Sequence, residues 1–170
     1  GKDGSARGSN EAGATAGPQR SQSTSNAGSR GPNHPDTKDV LDLTGLDYDQ
    51  APLNLKTRYF ELRKISLSTF PISSAILMRS VLETTIKVHF EGSATPVTGE
   101  LSAIFKEVVK VYESDKALRS TINTIKSGDA QKHGSIQWFN LITHSADASV
   151  TAEDVRQAWK TVSPLLRRLL

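Results

Sequence analysis

The sequence predicts an all-α helical bundle of about five or six helices, preceded by a disordered N-terminal linker. Three observations predict this fold class. After position 52, apolar residues recur at intervals of three and four, which is the spacing of one helix face. No alternating strand segments separated by turn signals appear. The first 36 residues differ sharply in composition from everything that follows them.

The N-terminal segment, residues 1–36, contains no Val, Ile, Leu, Met, Phe, Tyr or Trp, but seven of the twelve glycines. Ordering a chain costs roughly 1–2 kcal/mol per residue in backbone entropy, and a segment without large apolar side chains has nothing to offset this cost. We therefore predict a linker over residues 1–36 and one domain over residues 37–170. A linker here suggests that the chain is the C-terminal part of a larger protein.

The composition excludes several classes of protein. The absence of cysteine excludes disulfides, thiolate nucleophiles and cysteine-ligated zinc, and it fits a reducing compartment. No apolar run approaches the roughly 20 residues that span a bilayer, so we expect a cytoplasmic protein with no membrane partner. The net charge of +3 is too balanced to require a nucleic-acid partner.

The first half of the domain is predicted to contain an irregular lead-in and two helices. The lead-in covers residues 40–54, and its Leu and Tyr side chains are expected to dock on the body. A first helix is predicted over 53–65 and a second over 72–92, with Pro71 suited to the first turn of the second. The second helix is so widely apolar that it should be the buried, central helix.

Four further helices are predicted over residues 98–112, 114–129, 135–144 and 151–170. Ser114 or Asp115 is a candidate cap for the second of these four. The third is short and could be a strand from its Ile, Trp and Phe content, but its helical neighbours favour a helix. The fourth begins with a near match to a capping box, Thr151 and Asp154, and Pro164 should kink or divide it.

The pair Asn140 and His144 is the main candidate for chemistry. Four residues apart, the two lie on one helix face, and we expect that face to look toward the second helix or a second subunit, with Trp138 and Leu141 inward. A metal-independent ribonuclease needs a general base, often His, and a cation that holds the phosphate. Arg79 on the second helix could be that cation.

A purely structural interpretation competes with this one. Arg79 could pair with Glu83 within its own helix, while Asn140 and His144 bind backbone groups at a helix end. The chain has no Gly-rich phosphate loop and no nucleophile elbow, and no paired His and carboxylate spacing indicates a metal site. No metal and no cofactor are therefore predicted.

Other polar residues suggest structural roles. His89 is expected at the edge of the core and His133 in a solvated loop. The basic residues of the last helix, Arg156, Lys160, Arg167 and Arg168, are expected on a solvated face, with DNA binding as the alternative.

Two segments resemble one family of all-α domains. The segment "ELRKISLSTFPISSAILMRSVLETTIKVHFE" (61–91) resembles the helix–Pro–helix core of HEPN-like domains, which occur in prokaryotic toxin–antitoxin and phage-defence proteins. The segment "WFNLITHSADASVTAEDVRQAWKTVSPLLRRL" (138–169) is similar to their closing region. There a helix ends in Asn-x-x-x-His, and a further helix follows a short loop.

The resemblance implies two functions. Catalytic members carry Arg directly before the Asn and cut RNA without metal at a dimer interface; here Asn140 and His144 match, but Phe139 replaces the Arg. Many other members are non-catalytic dimerisation or binding modules. We therefore predict a non-catalytic interaction module, forming a homodimer or binding another domain of a larger prokaryotic protein in defence or nucleic-acid handling. The alternative is a ribonuclease in which His144 is the base, Asn140 orients it and Arg79 binds phosphate.

Overall fold

The described structure consists of helices and connecting turns. A computed structural model describes Gly31, residues 33–34 and residues 36–170. The predicted linker lies almost wholly outside these residues. Within them there is no strand, which confirms the all-α fold class. The six helices are α1 (Leu53–Lys64), α2 (Pro71–Phe90), α3 (Leu101–Tyr112), α4 (Arg119–Ile125), α5 (Ile136–His144) and α6 (Ala152–Leu169).

Helix α2 is central, as predicted, and it packs against α1, α3, α5 and α6. Pro71 occupies its first turn, where the missing N–H needs no partner. The buried side chains of α2 join one core to which all six helices contribute. The prediction that the whole length from Ile72 is buried is wrong at one end, because Ile72 and Ile76 are 44% and 43% exposed.

Helix α1 is joined to α2 by a buried hydrogen bond. The hydroxyl of Tyr59 lies 2.9 Å from the hydroxyl of Thr85, which also donates to the Val81 carbonyl. The ring of Tyr48 stacks on Tyr59 with centroids 4.8 Å apart. Burial raises the pKa of Tyr59 well above the usual tyrosine range, so this phenol stays protonated.

Helix α4 is much shorter than the predicted helix over 114–129. It begins at Arg119, and Leu118 precedes its first position. Neither Ser114 nor Asp115 caps it, because the Asp115 carboxylate accepts the Ala117 N–H in a separate turn. The apolar spacing from Leu118 onward was a helical signal, while the residues before it fold as a turn because local side-chain bonds compete with the helix.

Helix α6 has the predicted start and remains undivided. Thr151 accepts a hydrogen bond from the Asp154 N–H, and the Asp154 carboxylate accepts the Thr151 N–H, which completes a capping box. Pro164 lies inside a helix that runs without interruption from Ala152 to Leu169. Of the two predicted effects of Pro164, a kink or a division, the division is wrong. Buried residues on both sides of Pro164, including Val162 and Leu165, hold the helix against the core.

The residues before α1 form a strap, defined here as residues 38–46, that runs along α6. Arg156 donates to the Lys38 carbonyl, the Trp159 indole to the Asp42 carbonyl, and Arg167 to the Thr44 carbonyl. These bonds advance in the same direction along both segments, so the strap and α6 are parallel. Buried leucines on the strap, Leu41 and Leu43, confirm the predicted docking of the lead-in.

Candidate functional site

The start of α5 is set by a close approach to α6. Gly134 has φ +84° and lies against the α6 backbone, where a Cβ atom would come 3.0 Å from the Ala158 carbonyl oxygen. The next residue, Ser135, caps α5 by accepting the Trp138 N–H. This turn fixes which α5 side chains point into the core. Trp138 is buried, as predicted, whereas Leu141 is 40% exposed rather than inward.

Asn140 and His144 do not bind backbone groups at the helix end, as the structural interpretation expected. His144 is exposed at the last position of α5, and Asn140 is half-buried. Within the described residues, neither side chain has a hydrogen bond to backbone or to another side chain. Two polar side chains at i and i+4 are therefore left open to an external partner.

Arg79 does not form the predicted ion pair with Glu83. The predicted partner, Glu83, binds Lys87 instead, at 2.6 Å between Nζ and Oε1. The Arg79 Nε atom is buried, and no acceptor in residues 36–170 bonds to it. Although α2 packs against α5, no hydrogen bond or ion pair in the described chain joins Arg79 to Asn140 or His144. Their combined catalytic role stays a prediction.

Phe139 is a core residue. It is 1% exposed and packs edge-to-face with Trp138, with ring centroids 5.1 Å apart. Any side chain at this position points away from the surface that carries His144. An arginine here would bury a charge without a partner, which is strongly destabilising in a protein core.

His133 lies in a cleft that the sequence interpretation missed. Its Nε2 atom is 3.1 Å from the Asp154 carboxylate, and its ring stands edge-on to Trp138. The cleft has a volume of about 360 Å³ and is also lined by Leu141 and Ser145. Because Asp154 also caps α6, this contact ties the α4–α5 loop to the start of α6. Glycine beside His133 signalled a tight turn, but no local pattern pointed to Asp154.

His89 confirms the prediction of a core-edge histidine. Its two ring nitrogens lie 2.8 Å from the Leu169 carbonyl and 2.8 Å from the Tyr112 hydroxyl. One imidazole therefore connects α2, α3 and α6. Both ring nitrogens therefore have a partner within the chain.

The basic residues of α6 are only partly a solvated face. Arg156 and Arg167 donate to strap carbonyls, and Lys160 lies 3.2 Å from the Asp36 carboxylate. Arg168 is 3.8 Å from Asp115. These contacts within the chain account for all four basic residues, and they weaken the case for a dedicated nucleic-acid surface.

Large apolar side chains remain exposed at the start of α2. Phe70, Ile72 and Ile76 are 54%, 44% and 43% exposed. On the outer face of α1, Phe60 is also exposed, but the Lys64 ammonium covers its ring at 4.1 Å. These three side chains therefore leave apolar surface uncovered near the start of α2.

The structure offers little support for other kinds of site. No cluster of three or more His, Asp or Glu within the described chain could hold a metal ion. None of the described helices has the length and apolar character needed to cross a membrane. Comparison of the chain with family models, curated proteins and solved structures finds no match.

Proposed function

We propose that this chain is a non-catalytic, HEPN-like interaction module that forms a homodimer or binds another domain of a larger prokaryotic protein in defence or nucleic-acid handling. The observation that carries the proposal is the burial of Phe139. Catalytic members of that family have Arg at the corresponding position. Here the position points into the core, so it cannot present a cation to a phosphate beside His144.

Exposed apolar surface at the start of α2 supports the interaction role. Fully burying an Ile or Phe side chain contributes about 1.5–3 kcal/mol, so Phe70, Ile72 and Ile76, each about half exposed, have roughly 1 kcal/mol left to gain. Doubled across a two-fold interface, this gives roughly 6 kcal/mol. Association costs about 4–15 kcal/mol, so this apolar surface does not hold a stable dimer on its own and further contacts are needed.

The first test places arginine at two positions of α5. Phe139→Arg should lower the free energy of unfolding by at least about 3 kcal/mol, because it replaces a buried ring by an unpaired charge. Leu141→Arg is the control, since Leu141 is 40% exposed and should accept the charge with little loss. Urea denaturation measures both. Equal tolerance of the two substitutions would remove the main support for a non-catalytic site.

The second test measures activity and association directly. The purified chain is incubated with structured and single-stranded RNA in EDTA, and its mass is followed by sedimentation over a range of concentrations. We expect intact RNA and a concentration-dependent dimer, or capture of the upstream part of the same protein. A chain that stays monomeric and captures nothing would contradict the proposal.

A metal-independent ribonuclease is the second candidate. The observation in its favour is that the His144 and Asn140 side chains have no hydrogen-bond partner within the described residues, and that the buried Nε atom of Arg79, on the neighbouring helix, has no acceptor there either. In that mechanism His144 takes the proton from the 2′-hydroxyl and Arg79 binds the phosphate. RNA cleavage in EDTA that disappears in His144→Ala would favour this function over the first.

A further inference from the structure

The cleft beside His133 holds a hydrogen-bond donor that the fold leaves unused. Trp138 is only 5% exposed, and it borders this cleft. Its indole N–H has no acceptor among the described residues, whereas the other tryptophan, Trp159, donates to the Asp42 carbonyl at 3.0 Å. A buried indole usually finds a hydrogen-bond partner, so the unpaired N–H of Trp138 marks a place for an acceptor from outside the chain.

The indole N–H of Trp138 is open to solvent rather than sealed in the core. Among the described residues, the side-chain nitrogen that is shut off from solvent without a partner is the Arg79 Nε, not the Trp138 Nε1. Solvent therefore reaches the indole N–H, and the cleft that Trp138 borders gives the access. The cleft volume of about 360 Å³ lies near the lower end of the range of roughly 300–1,000 Å³ for small-ligand pockets.

The other walls of the cleft are acidic. The carboxylates of Asp147 and Asp154 line it, together with the hydroxyls of Ser145 and Ser149, and no Lys or Arg is among its lining residues. His133 lies 3.1 Å from Asp154. The exposed Asp147 side chain, by contrast, has no ion pair or hydrogen bond within the described residues. The cleft therefore presents several acceptors and negative charge around one buried donor.

We propose that this cleft binds a ligand with a cationic nitrogen group and a carbonyl oxygen, as in an arginine or lysine residue. The carbonyl oxygen accepts the Trp138 indole N–H, and the guanidinium or ammonium group donates to the carboxylates of Asp147 and Asp154. Hydrogen bonds between charged groups are roughly twice as strong as neutral ones, so the cation supplies most of the preference. An anionic ligand could accept the indole N–H, but two carboxylates would repel it.

Blocked amino acids test this chemistry on the full chain. The indole N–H signals of the two tryptophans are followed in a proton–nitrogen NMR correlation spectrum, and Trp138→Phe or Trp159→Phe assigns them. N-acetyl arginine amide should move the Trp138 signal and leave the Trp159 signal in place. N-acetyl citrulline amide has nearly the same shape but no charge, so it should bind at least about tenfold more weakly. N-acetyl glutamate amide should not bind.

The outcomes of this series are distinct. Equal binding of the three blocked amino acids, or binding of the glutamate derivative alone, would overturn the proposal. A Trp138 signal that none of the probes moves would also overturn it. These measurements do not involve association of the chain, so their failure leaves the proposed function standing.

An exposed carboxylate allows the cleft to be changed without disturbing the core. Asp147→Asn should weaken the binding of N-acetyl arginine amide at least about fivefold, because it removes one negative charge from the cleft. Asp49→Asn is the matched control, since Asp49 is also exposed but does not line the cleft, and it should leave the affinity unchanged. Circular dichroism checks that both variants are folded. Equal affinities in the wild type and both variants, or equal losses in both variants, would overturn the role of the cleft.

A short peptide separates the two sources of such a ligand. A three-residue peptide with arginine in the middle is compared with N-acetyl arginine amide on the wild-type chain. Binding of the peptide at least about fivefold tighter supports a basic segment of a protein as the ligand. Equal binding of the two supports a free amino-acid derivative. A peptide that does not bind at all would overturn the proposal, because it carries the same cation and carbonyl groups.

Discussion

Replacement of Gly134 by alanine should destabilise the domain by about 2–5 kcal/mol. A left-handed φ costs a residue with a Cβ about 1–2 kcal/mol, and φ at Gly134 is +84°. The new Cβ would lie 3.0 Å from the Ala158 carbonyl oxygen and 3.0 Å from the Thr161 Cβ. Crowding of this kind in a packed site costs typically about 1–3 kcal/mol more. The total is a large share of the about 5–15 kcal/mol that stabilises a domain.

Two other glycines separate the cost of the left-handed φ from the cost of crowding by the new Cβ. Gly99 also has a positive φ, +102°, but its nearest contact would be the Ala103 side chain at 3.6 Å, which is ordinary packing. Gly99→Ala should therefore cost about 1–2 kcal/mol. Gly128 has no positive φ, and a Cβ added to it would meet only open space, so Gly128→Ala should change stability by less than about 0.5 kcal/mol.

Urea unfolding followed by tryptophan fluorescence measures this series. Trp138 and Trp159 are both buried, and Trp138 lies on the helix that Gly134 positions, so the signal reports the relevant region. The expected order of destabilisation is Gly134→Ala, then Gly99→Ala, then Gly128→Ala. If Gly134→Ala were no more destabilising than Gly99→Ala, the close contact between the turn and α6 would not be the factor that fixes α5.

Two further predictions concern hydrogen bonds that join separate segments. Tyr59→Phe removes the hydrogen bond to Thr85, but the Thr85 hydroxyl still donates to the Val81 carbonyl. The free energy of unfolding, measured by urea denaturation, should therefore fall by only about 1 kcal/mol. An unchanged value would mean that the buried hydrogen bond does not stabilise the fold. Hydrogen bonds from Ser66 and Ser68 hold the pKa of Asp39 below its usual value in the folded protein. The ionised carboxylate therefore stabilises the fold above the ordinary aspartate pKa of about 3.9, and this stabilisation is lost as the pH falls through the lower pKa of the folded state. Asp39→Asn should flatten this acid-side loss in melting temperature, and an identical pH profile would contradict it.

The sequence was sufficient for the fold class because helical periodicity is a local signal. Apolar spacing identified α2 as the central helix, and the Thr151 and Asp154 pair marked the start of α6. Side chains that suit both a helix cap and a turn were a less reliable guide to where a helix begins. Asp115 looked like a helix cap, but it closes a turn before α4.

The site was less predictable because its contacts join residues that are distant in sequence. Nothing near Arg156 indicates that it donates to Lys38, and nothing near His133 indicates Asp154. The exposure of Ile72 and Ile76 could not be predicted from the sequence either. Periodicity shows that a helix face is apolar, but it does not show whether another helix covers that face.

The strap belongs to the folded domain, although it lies before the first helix. Since Leu41 and Leu43 fill the core and α6 holds the carbonyls of residues 38, 42 and 44, a fragment trimmed to begin at α1 would lose part of its own interior. The strap also holds residue 38 beside Arg156, near the beginning of α6, while Asp36 just before it pairs with Lys160 one turn further on. A domain joined upstream of the strap would therefore be attached to the bundle at α6 rather than at α1.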